Sequence, residues 1–105
     1  MKLDKFILKG KKIVAVDLMV WAEWFEKVKK ERIVKQTTLP NGKWVSTVFL
    51  GVDHNFGLSG RPLLFETMVF KSNNELNEID MDRYSTWEEA EYGHKEMVKK
   101  WKATI

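Results

Sequence analysis

The stretch Ile33-Val34-Lys35-Gln36-Thr37-Thr38-Leu39-Pro40-Asn41-Gly42-Lys43-Trp44-Val45-Ser46-Thr47-Val48-Phe49-Leu50-Gly51-Val52 decides the fold class. Arg32 to Leu39 is rich in β-branched residues, Pro40-Asn41-Gly42 follows, and Lys43 to Val52 is strand-like again. An Asn-Gly pair between two such runs is the strongest short hairpin signal, because both residues tolerate the positive φ that a tight turn needs. The chain is therefore built on at least one antiparallel pair.

Moving toward the C-terminus, residues 53–62 (DHNFGLSGRP) form a loop dense in Gly, Asn, Ser and Pro. Pro62 or Leu63 to Phe70 is a further strand, 71–78 a polar turn, and 79–84 a short strand. Ser85 opens a capping box with Glu88. In the helix that follows, acids cluster early and lysines late, as the helix dipole prefers. Trp87, Ala90, His94, Met97 and Trp101 fall on one stripe. Toward the N-terminus, residues 6–8 and 13–16 read as two short strands around a Gly-Lys turn. Asp17 is an N-cap, and Leu18 to Lys30 is a helix whose stripe is Leu18, Trp21, Phe25 and Val28, widened by Trp24.

The expected fold is α+β: an antiparallel sheet of four to six strands with two helices on one face, in the order ββ-α-βββ-(β)-α. Neither central strand has a polar face. Val45, Thr47, Phe49 and Gly51 oppose Trp44, Ser46, Val48, Leu50 and Val52, and Leu63, Phe65, Thr67 and Val69 oppose Leu64, Glu66, Met68 and Phe70. A sheet covered by helices on one side only should alternate more clearly. Either the N-terminal hairpin or another subunit should cover the second face, and the balance favours a homodimer.

The 105 residues suffice for one domain, 1–105. No apolar run approaches the ~18 residues of a membrane span, and the charged first residues do not resemble a signal peptide. The absence of cysteine excludes disulfides and thiol chemistry and permits a reducing cytoplasm. The net charge of +3 is uneven: +6 over residues 1–45, −1 over 46–70 and −2 over 71–105. The basic half could meet an anionic partner, but it holds a single arginine, Arg32, which argues against direct binding of duplex DNA.

Asp53-His54-Asn55 is the most suggestive chemical feature. A carboxylate, an imidazole and an amide beside a glycine-rich turn could act as a general base pair or grip a ribose or phosphate, or could cap their own loop. Glu66, in a strand of otherwise apolar residues, needs a partner; Arg61 is the nearest basic candidate in sequence, and a ligand-binding acid is the alternative. Among the tryptophans, Trp44 beside the turn is the one expected at the surface. His94, on an apolar helix stripe, reads as a satisfied core histidine. No metal-binding spacing, dinucleotide fingerprint, P-loop or nucleophile elbow is present, so no metal or cofactor is called for. Gly57-Leu58-Ser59-Gly60 is too short a match to mean phosphate binding.

The runs 46–56 (STVFLGVDHNF), 62–70 (PLLFETMVF), 83–90 (RYSTWEEA) and 17–26 (DLMVWAEWFE) resemble a widespread family of small proteins from phages and prophages. Two departures stand out: Ile13-Val14-Ala15-Val16 where the family has prolines, and Arg61-Pro62 where it has two. The resemblance implies a phage accessory protein acting in the cytoplasm of the bacterial host. By analogy with such proteins, it implies a non-enzymatic inhibitor of a host defence protein, of the anti-CRISPR type, which should bind through its charged surface, including the lysine-rich first half or the acidic 75–91 segment. The alternative is a sponge for a nucleotide immune signal, with Asp53, His54, Asn55, Arg61 and Glu66 lining its pocket. A small enzyme using His54 and a carboxylate is the further alternative.

Overall fold

The computed structural model describes residues 5–55, 60–75 and 77–102. Six strands and two helices run in the order β1 (Lys5–Lys9), β2 (Lys12–Val16), α1 (Leu18–Lys27), β3 (Ile33–Thr38), β4 (Trp44–Phe49), β5 (Phe65–Phe70), β6 (Glu78–Tyr84) and α2 (Trp87–Lys102), with one 3-10 turn at Lys30–Arg32. This is the expected α+β order, and every strand pair is antiparallel. The strands do not form one sheet, however. β3-β4-β5-β6 is a four-stranded sheet, and β1-β2 is a separate hairpin. An isolated bridge between Lys5 and Val52 ties the hairpin to the end of β4, and the Phe6 amide donates to the Gly51 carbonyl at 2.9 Å.

Local chemistry explains the boundaries. Asn41 accepts from the Lys43 amide at 3.1 Å and Gly42 takes φ 88°, which closes the β3–β4 turn. Asp17 accepts from the Val20 amide at 2.9 Å and starts α1. Gly51 combines φ 77° with a packing constraint: a Cβ there would lie 2.6 Å from the Trp21 indole nitrogen and 3.2 Å from the Phe6 carbonyl oxygen. The capping box lies one residue later than Ser85 and Glu88. Thr86 accepts from the Glu89 amide at 3.1 Å and donates to its carboxylate at 3.2 Å. Helix α1 ends at Lys27, short of Lys30; the Val28 amide still reaches the Trp24 carbonyl, and the backbone there turns extended. Leu18, at 59% exposure, stands outside the core.

Helix α2 lies across the face formed by Val45, Thr47, Phe49, Phe65, Thr67 and Val69, each of them 0–1% exposed. Its buried residues are Ala90, His94 and Met97. One cluster joins Phe49, Phe65, Leu64, Ala90 and the hairpin's Leu8, with Trp24, Trp87 and Tyr84 at its margin. A second joins Leu39, Val45, Val69 and Met97. Trp24 of α1 meets Phe49 edge-on at 5.8 Å, so hairpin and α1 plug one end of the same face that α2 covers. The hairpin is therefore not the cover of the second face.

That outer face carries three cross-strand rows. They are Ile33–Val48–Glu66–Arg83, then Gln36–Ser46–Met68–Met81, then Thr38–Trp44–Phe70–Glu78.

Gly93 of α2 lies against the Tyr84 ring so closely that an added Cβ would overlap the ring carbons and the phenol oxygen. Helix propensity alone favours Gly93→Ala by ~1 kcal/mol. Overpacking opposes it by ~1–3 kcal/mol, so the variant is expected to unfold several degrees below the parent in a thermal melt; a higher midpoint would refute the contact.

Candidate functional site

The Asp53 carboxylate folds back on its own loop. Oδ1 accepts from the Asn55 amide at 2.7 Å and from the Leu63 amide at 2.9 Å. The His54 amide donates to the Leu63 carbonyl at 2.9 Å, and its Nδ1 stands 3.0 Å from the Val52 carbonyl oxygen. The Asn55 side-chain amide lies 3.5 Å from the Arg61 carbonyl oxygen. Asp53 thus staples the two limbs of the β4–β5 connection, and no hydrogen bond joins it to the His54 ring among the described residues. Phe56 and the Gly57-Leu58-Ser59 part of the glycine-rich motif lie outside the described residues.

The other candidates lie elsewhere. Arg61 does not pair with Glu66. Its guanidinium bonds Glu89 of α2 at 2.6 Å, which holds the Glu89 carboxyl below its ordinary range. Glu66 sits on the outer sheet face, 7% exposed, and accepts from Arg83 Nε at 2.9 Å. Arg83 stands directly opposite it on β6, whereas Arg61 is near only in sequence. Trp44 is half-buried rather than exposed, with its ring 5.5 Å from that of Phe70. Asp53, His54 and Asn55 are therefore together, Arg61 touches them through its backbone, and Glu66 and Trp44 belong to a different surface.

His94 is 1% exposed and bonded at both ring nitrogens: Nδ1 to Thr47 Oγ1 at 2.7 Å, Nε2 to Thr37 Oγ1 at 2.8 Å. Thr47 in turn meets Thr67 at 2.5 Å. Burial, assisted by the charge of Lys35, pushes the imidazole pKa down to about 4. A neutral imidazole supplies one donor and one acceptor, which two hydroxyls satisfy. This is a core histidine, as its place on the stripe implied.

A groove of about 760 Å³ lies between the open edge of β6 and α2. Tyr84, Tyr92, Gly93 and Met97 line it together with Asp80, Asp82, Glu88, Glu89, Glu96 and Lys100. Burial alone would raise the Asp80 carboxyl, but bonds from Lys100 at 2.7 Å and Trp101 Nε1 at 2.8 Å hold it below its ordinary value. With Lys99 on Glu96 and Arg61 on Glu89 counted, five carboxylates face three cations. Asp80, Asp82, Glu88 and Glu89 belong to the acidic 75–91 segment that the sequence offers as a binding surface, whereas Tyr92, Glu96, Met97 and Lys100 lie beyond it. The acid excess of residues 71–105 was the available signal, but it does not show which acids share a surface.

Among the described residues no group of three His, Asp or Glu side chains is placed to hold a metal ion, and no helix is long and apolar enough to cross a membrane. Comparison with protein-family models, with curated protein sequences and with solved structures finds no match.

The His94 geometry gives a pH dependence. An unfolded histidine titrates near 6.5 and the native one near 4, so the unfolded chain binds the extra proton between these values. Stability attributable to His94 is complete above about pH 6.5, falls as the pH drops toward 4 and levels off below it, a loss on the order of 3 kcal/mol. Denaturant titrations at pH 7 and pH 4.5 should show this slope in the parent and a shallower one in His94→Gln; equal slopes would contradict it.

Proposed function

We propose that the chain is a non-enzymatic accessory protein of phage or prophage that counters host defence by binding a defence protein, as anti-CRISPR inhibitors do, in the cytoplasm of the bacterial host. The groove between β6 and α2 is the observation that carries this reading. Its apolar floor offers contact area, two tyrosines line it, and its rim has more carboxylates than cations. Effectors that hold nucleic acid do so with lysine- and arginine-lined surfaces. An acid-rimmed groove complements such a surface and competes with the nucleic acid for it.

The same sign opposes a phosphate-bearing ligand. A nucleotide sponge needs cations or converging amides around phosphate, and the residues expected to line its pocket are divided between the β4–β5 loop and the outer sheet face. An enzyme built on His54 would need a carboxylate in hydrogen-bond reach of the ring; Asp53 is instead engaged by backbone amides.

The test is phage plating on bacteria that express the chain and carry either a nucleic-acid-guided effector or a nucleotide-signalling defence. The expected result is restored plaque formation against an effector, lost in the variant Glu88→Lys with Glu96→Lys, whose substitutions are surface-exposed and leave the fold intact by circular dichroism. Restoration confined to nucleotide-signalling strains would replace this reading with the sponge. Restoration in neither would overturn both.

A further inference from the structure

Building on the reading of the β6–α2 groove as the partner's site, we propose that the partner docks there as an added strand. An extended segment with lysine or arginine at every second residue pairs antiparallel with the open edge of β6. β6 is seven residues long and ends the order β3-β4-β5-β6, so among the described residues one of its edges has no strand beside it. The Met81 and Arg83 amides donate to the carboxylates of Asp80 and Asp82, each one residue back, at 2.8 and 2.9 Å. These are alternate residues, and in an antiparallel pair alternate residues turn their backbone groups away from the neighbouring strand. The open edge thus offers two donors held by local carboxylates. An incoming strand replaces each carboxylate with a carbonyl and leaves the β5–β6 ladder as it is.

Charge and alternation select the occupant. Asp80 and Asp82 stand opposite Val69 and Thr67, which are buried under α2, and with Tyr84 they edge the groove. Met81, between the two aspartates, points to the other face and stays 39% exposed. A strand laid beside β6 inherits this period of two. Every second side chain enters the groove, where five carboxylates face three cations. Lysine or arginine suits that position, with its stem along Tyr84 and Tyr92 and its charge at the rim. The residues between lie beside Met81 and are best apolar. A second copy of the chain is a poor occupant, because two β6 edges paired antiparallel would set the aspartates of one against those of the other. The sheet's other edge, β3, carries Lys35 and repels a basic strand.

The experiment is a nuclear magnetic resonance titration of the isotope-labelled full chain with the synthetic peptide Lys-Val-Lys-Val-Lys-Val, blocked at both ends. The same peptide N-methylated at its valines is titrated beside it. Opposite Met81 and Arg83, the valines turn their amides toward β6, so methylation removes those bonds and leaves the charge unchanged. A dissociation constant of ~0.1–1 mM is expected for the unmodified peptide, and at least tenfold weaker binding for the methylated one. At about ten times that constant, hydrogen exchange of the Met81 and Arg83 amides should slow roughly tenfold, with β3 unchanged. Equal binding of the two peptides would overturn the added strand and leave the groove as a site for basic side chains. Protection of β3 as strong as that of β6, or no binding by either peptide up to about 10 mM, would overturn it too. Phage plating decides the function separately: restored plaques beside a failed titration would keep the defence-protein reading and remove only the strand.

Discussion

His94 sets the relation between helix α2 and the sheet. Its two nitrogens reach Thr37 on β3 and Thr47 on β4, and Thr47 passes the contact to Thr67 on β5. The hydroxyls of three adjacent strands must therefore stand on the same face at fixed positions. A slip of one residue in any pairing would turn a hydroxyl to the other side of the sheet and leave a buried imidazole nitrogen without its partner. An all-apolar interface would tolerate small slides of the helix along the sheet. A closed chain of hydroxyls and imidazole does not, because each unmet bond in a dry site costs about 1–3 kcal/mol. Asp80 adds a second fixed point, since it binds Lys100 and Trp101 in the last turn of α2 to β6.

Once α2 is fixed, the remaining pieces have limited places to go. A sixteen-residue helix covers one face of four strands, and Ala90 and Trp87 reach the cluster around Phe49 and Phe65 without closing it alone. The hairpin and α1 fill that end: Leu8 enters the cluster, Trp24 meets Phe49, and Gly51 lets Trp21 approach the backbone. Among the described residues no helix or strand is then left for the opposite face. Its mixed character, apolar rows around a neutralised ion pair, follows from this economy of elements and not from any defect in the pattern.

What could be read from the sequence was short in range. The Asn41-Gly42 turn, the Asp17 cap and the stripe that buries His94 depend on residues within a few positions of one another, where backbone stereochemistry decides. The capping box was displaced by one because Ser85 and Thr86, and likewise Glu88 and Glu89, are chemically equivalent neighbours; only the backbone path selects Thr86 with Glu89. Long-range partners were not legible. Glu66 meets Arg83, not Arg61, because cross-strand register places Arg83 opposite it, and register emerges only when the sheet is assembled. The separation of the hairpin from the main sheet was equally hidden, since local strand signals do not say which edge a strand joins. Asp53 was legible as a residue with a task, but the choice between chemistry and stapling depended on the position of the Leu63 amide, ten residues away.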